Sequence, residues 1–298
     1  MTVAQWLEQT IRHPRVRALV QTLFRLSTYG NDPHHQSAGA ALAQLQLALA
    51  QNVWYVDGGW QTLVDGLRDA AQSAGVRIVS QAKIAGIDCD NAVHGVCLAD
   101  GSRHAATSVV IAAGPHDAAG LLPPGKSSSL DEWAAQAKPV HAACLDVGLS
   151  RLPRPKTSFA LGIDQPLYFS IHSALATLGP ADGAMRHVAK YLNASKTTDP
   201  HQDEHELENL LDLMQPGWRE AVLERRFLPH MMVANAHVTA AAGGTAGRPG
   251  PAVPDIARLY VADDWVGPEG MLADASQASA KHAAELISQD TYGQAEAA

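Results

Sequence analysis

The fold is decided by the stretch LYVADDWVGPEGMLADAS, which occupies residues 259–276. It contains a short apolar run, two acidic residues, a loop rich in glycine and proline, and a helix predicted to begin near Leu272. A carboxylate at the end of a strand can accept hydrogen bonds from polyol hydroxyls. The helix N-terminus beside it carries partial positive charge and unpaired N–H groups. From these residues alone the pattern favours an ordinary strand–loop–helix connection with acidic caps, and a ligand-binding junction is the alternative.

A second region of mixed pattern precedes this junction. Paired glycines at 58 and 59 follow the β-prone run 53–56, where they would let the backbone approach a flat ligand closely. Taken alone, they favour a tight turn. Ala113 and Gly114 follow a buried-strand pattern and would allow the same close approach. The predicted order is β-α-β-β-β-β, with a helix at 60–74 closed by Gly75 and strands at 53–56, 76–80, 84–89, 93–98 and 109–113.

The rest of the chain predicts helices around an antiparallel sheet. Pro14 restarts the first helix, whose apolar stripe is Val16, Leu19, Val20 and Leu23, and Ser37 is the N-cap of the next. Strands are expected at 140–147, 158–163, 167–173 and 259–262, and helices at 37–50, 185–194, 203–214, 218–224 and 272–287. The predicted domains are 53–115 with 255–290, and 1–52 with 116–254.

Composition excludes several classes of protein. The 298 residues carry a formal net charge of −8, which argues against nucleic acid as the main partner. Three widely spaced cysteines give neither a disulfide framework nor a CxxC motif, so a reducing, cytoplasmic compartment is expected. No stretch reads as a membrane span. His201 and His205 have zinc-compatible spacing without a third ligand, so no metal site is predicted.

The order of four segments resembles the phytoene-desaturase and amine-oxidase superfamily of FAD-dependent oxidoreductases. The segments are YVDGGWQTLVDGL, GVCLADG, SVVIAAGP and LYVADDWVGPEGMLADASQASA. The resemblance implies an α/β, or α+β, fold. An incomplete Rossmann-like FAD-binding domain would join a substrate domain built from an antiparallel sheet with helices.

The resemblance also assigns cofactor-binding residues. Asp264 matches the acid that holds the ribityl and pyrophosphate region of FAD, and the segment Gly270, Met271 and Leu272 matches the one that passes the pyrimidine edge of the flavin. Gly58 and Gly59 correspond to the loop near the isoalloxazine, and Ala113 and Gly114 to the strand end near the adenosine. Asp263 departs from the pattern, because the family usually has glycine before the acid.

The chain contains no strand–GxGxxG–helix unit, which the family uses to bind the ADP pyrophosphate. We therefore expect this chain alone to bind FAD weakly or not at all. We also expect the chain to be truncated or to be one part of a larger flavoprotein, with a second chain that supplies the unit, or a homo-oligomer. An exposed strand edge or apolar face is expected where the unit packs. The implied activity is oxidation of a C–C or C–N bond of a small molecule by hydride transfer to flavin, with no catalytic residue identified. The alternative is a non-catalytic scaffold or partner subunit that has lost FAD.

Overall fold

The computed structural model describes residues 1–178 and 183–296, and the side chains of residues 1–178 and 183–290. Helices and strands are mixed along the chain, which confirms the predicted α+β class. The helices are α1 Val3–Thr10, α2 Pro14–Thr28, α3 Ala38–Gln51, α4 Trp60–Ser73, α5 Pro115–Gly120, α6 Ser128–Gln136, α7 Pro200–Met214 and α8 Ala273–Glu296. The strands are β1 Ile84–Cys89, β2 Val93–Leu98, β3 Arg103–Ala105, β4 Val109–Ile111, β5 Val140–Leu149, β6 Phe159–Leu161, β7 Leu167–Ser170, β8 Ala184–Tyr191, β9 Val222–Ala234 and β10 Leu259–Val261.

The strands form three sheets. β1, β2 and β3 make an antiparallel meander, as the Asp-Asn and Asp-Gly turns predict, although β3 was not expected. β4 and β10 pair in parallel, with Val110 opposite Tyr260, and bring the ends of two distant segments to one edge. The third sheet is antiparallel, in the order β6-β7-β8-β5-β9.

Two expected helices are wrong, because both segments belong to the five-stranded sheet. Residues 185–194 contain most of β8. In this strand Arg186 and Val188 are buried, while His187 and Ala189, which follow them, are less buried. This alternation has the period of a strand. Residues 218–224 form a single 3-10 turn and then the start of β9. Both strands pair with β5, and this long-range pairing overrides the local helix propensity.

The expected strands at 53–56 and 76–80 are also wrong. Neither segment pairs with any strand in the described part of the chain, and each is extended or irregular. Trp54 is 86% exposed, and α4 between the two segments contains no buried residue. We call residues 53–79 the uncovered segment. Its exposed apolar side chains are Val53, Trp54, Trp60, Leu63, Val64, Leu67, Val76, Ile78 and Val79.

The helical region agrees with the sequence in its boundaries but not in its buried face. Pro14 stands at the first position of α2 and Ser37 caps α3, as predicted. The expected stripe through Val16 and Leu19 is exposed, and α2 instead buries Phe24 and Arg25. The helix is oriented this way because Arg25 donates to the carbonyls of Gly162 and Gln165 in the β6–β7 turn.

Apolar packing separates into distinct cores. The five-stranded sheet buries one face against α7, around Leu145, Phe169 and Leu207. A second core joins Val93 and Ile111 to Val261, so segments far apart in the sequence share one interior. α1, α2 and α3 pack around Phe24 in a third. None of the described helices has the length and apolar character needed to span a membrane.

The uncovered segment generates a test of matched substitutions. Leu67→Ala in α4 should change the free energy of unfolding by less than about 0.5 kcal/mol, because Leu67 is already 66% exposed. Leu207→Ala in α7 should cost about 2–5 kcal/mol, because that side chain is fully buried. Urea unfolding of both variants measures the two values. A comparable loss for Leu67→Ala would show that α4 is covered in solution.

Candidate functional site

The loop between β10 and α8 carries the two predicted acids. Asp263 turns toward the helix, where its Oδ1 accepts hydrogen bonds from the Asp264 N–H at 2.7 Å and from the Ser276 hydroxyl at 3.1 Å. Asp264 is only partly exposed and faces the end of β9. The Asp263 carboxylate is therefore engaged in holding the start of α8.

Asn235, directly after β9, links both acids. Its backbone N–H donates to Asp264 Oδ2 at 3.0 Å, and its Nδ2 donates to Asp264 Oδ1 at 3.0 Å and to Asp263 Oδ2 at 3.0 Å. Charge-assisted bonds of this kind are the stronger class of hydrogen bond. Asn235 thus ties the five-stranded sheet to the loop after β10.

The predicted pair Ala113 and Gly114 lies at the same place. The Ala113 carbonyl accepts from Trp265 Nε1 at 3.0 Å, and a Cβ added to Gly114 would lie 2.4 Å from Asn235 Oδ1. Any side chain at position 114 would displace Asn235, so glycine is needed there to let the end of β4 approach β9. The group that closely approaches this glycine is thus the Asn235 side chain of the same chain.

The segment Gly270, Met271 and Leu272 completes the junction. Gly270 has φ +66°, and Leu272 has φ +56°, a conformation that costs a leucine free energy and that clusters at functional sites. Arg248 donates to the carbonyls of Gly267 and Gly270, which fixes the loop. Its Nε is buried and has no hydrogen-bond partner among the described residues. A small cavity beside it is lined by Asp264, Met271 and Leu272.

Gly58 and Gly59 contact a different part of the molecule. The Gly58 N–H donates to the Thr177 carbonyl at 2.8 Å, and Asp57 accepts from the Thr177 N–H at 2.7 Å. Both glycines have positive φ, as the predicted turn requires. The structure therefore brings six of the eight predicted residues together and places this pair beside the 172–178 segment.

The face of the five-stranded sheet opposite α7 carries polar and aromatic side chains that sequence reasoning missed. His187 Nδ1 lies 2.6 Å from Asp146 Oδ1 across the β5–β8 pair, and the His187 and His172 rings are 4.2 Å apart. Tyr168 Oη lies 3.3 Å from His172 Nε2, and the Tyr55 ring meets His172 edge-on at 5.0 Å. We call these five residues the polar wall.

Burial sets the charge state of this wall. It lowers the pKa of His172 to about 4, together with the neighbouring His187, so His172 is neutral at neutral pH. Burial also raises the pKa of Tyr168 to about 12, which keeps its hydroxyl protonated. His172 and Tyr168 thus offer neutral hydrogen-bonding groups, and the Asp146 carboxylate of the same wall contacts His187.

Local sequence gives little sign of the residues that were missed. Asn235 is a single asparagine after a strand that was read in part as a helix, and the polar wall collects residues from four separate segments. Alternation in AMRHVAKY was the one available signal, because a strand there places His187 and Tyr191 on one face. No group of three potential metal ligands occurs among the described residues.

The junction and the wall lie in two different parts of the molecule. A parallel strand pair ends beside a helix N-terminus with an acid at the strand end, and an antiparallel sheet presents a polar face. In open α/β sheets ligands bind at the carboxyl ends of the parallel strands, so the junction is a candidate ligand site.

Comparison with known proteins identifies the family of this chain. The DAO family of FAD-dependent oxidoreductases matches residues 9–216, well over half of the chain, and the chain belongs to this family. The match ends before the β10–α8 junction. No curated protein sequence matches the chain.

Several solved structures share the fold at low identity. An oxidoreductase from Methanosarcina mazei has a TM-score of 0.74 and 15% identity over 97% of this chain and 68% of its own. Cyclohexylamine oxidase from Brevibacterium oxydans has a TM-score of 0.61 and 17% identity over 96% of this chain and 68% of its own. Putrescine oxidase has a TM-score of 0.66 and 13% identity over 97% and 68%. The chain spans about two thirds of the length of these structures.

The electrostatics of Asp264 predict how stability depends on pH. Burial raises the pKa of Asp264 and outweighs the opposing Asn235 bonds, so the native state favours the protonated acid more than the unfolded chain does. The stability that this group contributes is present at low pH and is lost as the pH rises through its folded pKa. Relative to Asp264→Asn, the wild-type free energy of unfolding should fall as the pH rises above 3.8, the usual pKa of the group.

Urea unfolding of both proteins across this pH range measures the difference. A difference that stays constant, or one that grows in favour of the wild type, contradicts the pKa shift.

Proposed function

We propose that this protein is an FAD-dependent oxidoreductase that oxidises a C–N or C–C bond of a small molecule, with the flavin held at the β10–α8 junction. The observation that carries the proposal is the convergence of Asp264, Gly114 and the 270–272 segment at one helix N-terminus, in a chain of this family.

The residues at the junction fit a flavin nucleotide. Asp264 has acceptor positions beyond those that Asn235 occupies, because a carboxylate has about four lone-pair sites. The first turn of α8 begins at Ala273 and has N–H groups with no acceptor within the helix. Arg248 holds the loop and leaves a buried Nε next to the same cavity. An acid for ribityl hydroxyls and a positive end for the pyrimidine edge are thus adjacent.

The bound flavin would supply the hydride acceptor, and the chain would position the substrate. The polar wall provides the substrate side, because His172 and Tyr168 stay neutral and can each exchange hydrogen bonds with a polar substrate group. Such a surface suits a substrate with a polar group next to the oxidised bond better than a long polyene. This favours C–N oxidation, the chemistry that the names of the cyclohexylamine and putrescine oxidases indicate for those proteins.

Binding of the FAD pyrophosphate needs a further structural unit. We propose that a strand–GxGxxG–helix unit, supplied by a second chain or by another part of a larger flavoprotein, packs on the uncovered segment and on the free edge of the β4–β10 pair. Parallel sheets are almost always covered on both faces and rarely stop at two strands. The exposed apolar residues of α4 and Val110 of β4 provide the surface for such a unit. Together, residues 53–115 and 255–290 would form the FAD-side domain, and residues 1–52 and 116–254 the helical and substrate-side domain.

A non-catalytic role as a scaffold or partner subunit is the second candidate. Two observations favour the scaffold. Asp263 stands where the family pattern has glycine, and Asn235 already uses acceptor positions of the Asp264 carboxylate. The two functions differ in whether Asp264 contributes to FAD binding.

FAD titration followed by flavin fluorescence tests the proposal. Wild-type chain should bind FAD saturably but weakly, so that dialysis removes the flavin. Asp264→Ala should weaken binding by roughly tenfold, because a hydrogen bond to a charged group contributes about 1.5–3 kcal/mol. The same variant should also lose about 1–3 kcal/mol of stability, since it leaves the Asn235 donors unpaired.

Glu269→Gln is the matched control, because it removes an exposed carboxylate from the same loop. FAD affinity and stability should both stay at the wild-type value in this variant. Equal FAD affinity in wild type and Asp264→Ala would favour the scaffold.

A further inference from the structure

A cavity of about 460 Å³ lies at the end of the five-stranded sheet where β5 begins and β8 ends. This volume falls within the roughly 300–1,000 Å³ that small-molecule sites occupy. Its walls come from the segment before β5, the loop after β8, the end of β9 and the 31–35 turn. The basic residues that line it are His35, Lys138, His141, Lys196, His230 and His237.

The residues that line the cavity carry more positive than negative charge. Neither Lys138 nor Lys196 takes part in an ion pair among residues 1–178 and 183–290, whereas the described lysines Lys190 and Lys281 do. Asp32 is the one acid among the residues that line the cavity. Its carboxylate already accepts from His35 Nδ1 at 2.8 Å and from the Ser195 hydroxyl at 3.3 Å. Two lysines against one occupied aspartate leave one net positive charge while the histidines are neutral.

His237 has an unused donor or acceptor and stands in the wall of this space. Its backbone N–H donates to the Lys138 carbonyl at 2.7 Å, and its side chain has a hydrogen bond with the Asp32 backbone. Its Nε2 is buried and has no partner among the described residues. Burial lowers the pKa of His237, and burial together with His230 lowers that of His141, so both rings favour the neutral form. A bound anion would raise both pKa values.

The same histidine connects the cavity to the β10–α8 junction. His237 also lines the small cavity next to Asp264 and Leu272, and with Lys138 it lines a further cavity of about 290 Å³. The three cavities therefore adjoin at His237, next to the residues of the proposed flavin site.

We propose that this cavity binds the carboxylate of the substrate between Lys138, Lys196 and His237. The proposal deepens the proposed function, because it assigns the substrate to compounds in which an anionic group stands apart from the bond that is oxidised. One net positive charge suits a monoanion such as a carboxylate better than a dianion such as phosphate.

Isothermal titration of the full chain with butyrate tests the site without flavin. Butyrate should bind saturably, and butylamine, which has the same chain without the carboxylate, should not. Lys138→Gln and Lys196→Gln should each weaken butyrate binding by about two- to fivefold, as expected for solvent-accessible charges. Lys281→Gln, which removes an exposed lysine from α8, is the control and should leave binding unchanged.

The pH dependence gives a second measurement. Butyrate affinity should rise as the pH falls from 8 to 6, because the bound anion favours protonated His237 and His141. The charged and titratable neighbours are Asp32, His35 and Lys138 around His237, and His230 beside His141. His237→Gln should reduce this rise while retaining both lysine contributions.

Three results would overturn the proposal: no butyrate binding, equal binding in the double lysine variant, or tighter binding of inorganic phosphate than of butyrate. FAD titration tests the proposed function separately. Butyrate binding that depends on the lysines, in a chain whose FAD affinity ignores Asp264, would retain the anion site and reject the oxidoreductase.

Discussion

The hydrogen bonds from Asn235 to Asp263 and Asp264 are the contact on which the arrangement of the candidate site depends. Three donor–acceptor pairs of 3.0 Å join the end of β9 to the loop after β10, and thus the five-stranded sheet to the parallel strand pair. Both carboxylates are partly buried, so neither could remain charged there without donors. Gly114 is constrained by the same contact, because a side chain at that position would occupy the space of Asn235. The candidate cofactor edge is therefore assembled by a residue of the opposite part of the molecule.

The five-stranded sheet separates stability from chemistry by its two faces. One face packs Leu145, Phe169 and Val188 against α7, and it has the composition of an ordinary core. The other face carries Asp146, His187 and Tyr168, whose polar groups find partners across neighbouring strands. A strand places successive side chains on opposite faces, so β5 and β8 contribute to both functions at once. The neutral state of His172 follows from its position over this second face, where solvent is reduced.

The uncovered segment shows what an apolar sequence does when no partner surface is present. Helix α4 forms as its capping glycine and its composition predict, yet it buries none of its residues. The β-prone runs on either side of it remain unpaired, because a strand needs a neighbour to satisfy its backbone. Contiguous exposed apolar surface of this kind usually marks an interaction site.

The sequence by itself determined the local features that depend on neighbouring residues. These include the helix starts at Pro14 and Ser37, the end of α4 before Gly75, the β1–β2 hairpin and the strand–loop–helix order of residues 259–276. It also indicated six residues that the structure brings together at the junction. Only the tertiary structure decided the conformation of residues 185–194 and 218–224, since both are strands by virtue of pairing with β5. It alone revealed Asn235, the polar wall and the basic cavity, because each is built from residues far apart in the chain whose contacts have no local pattern.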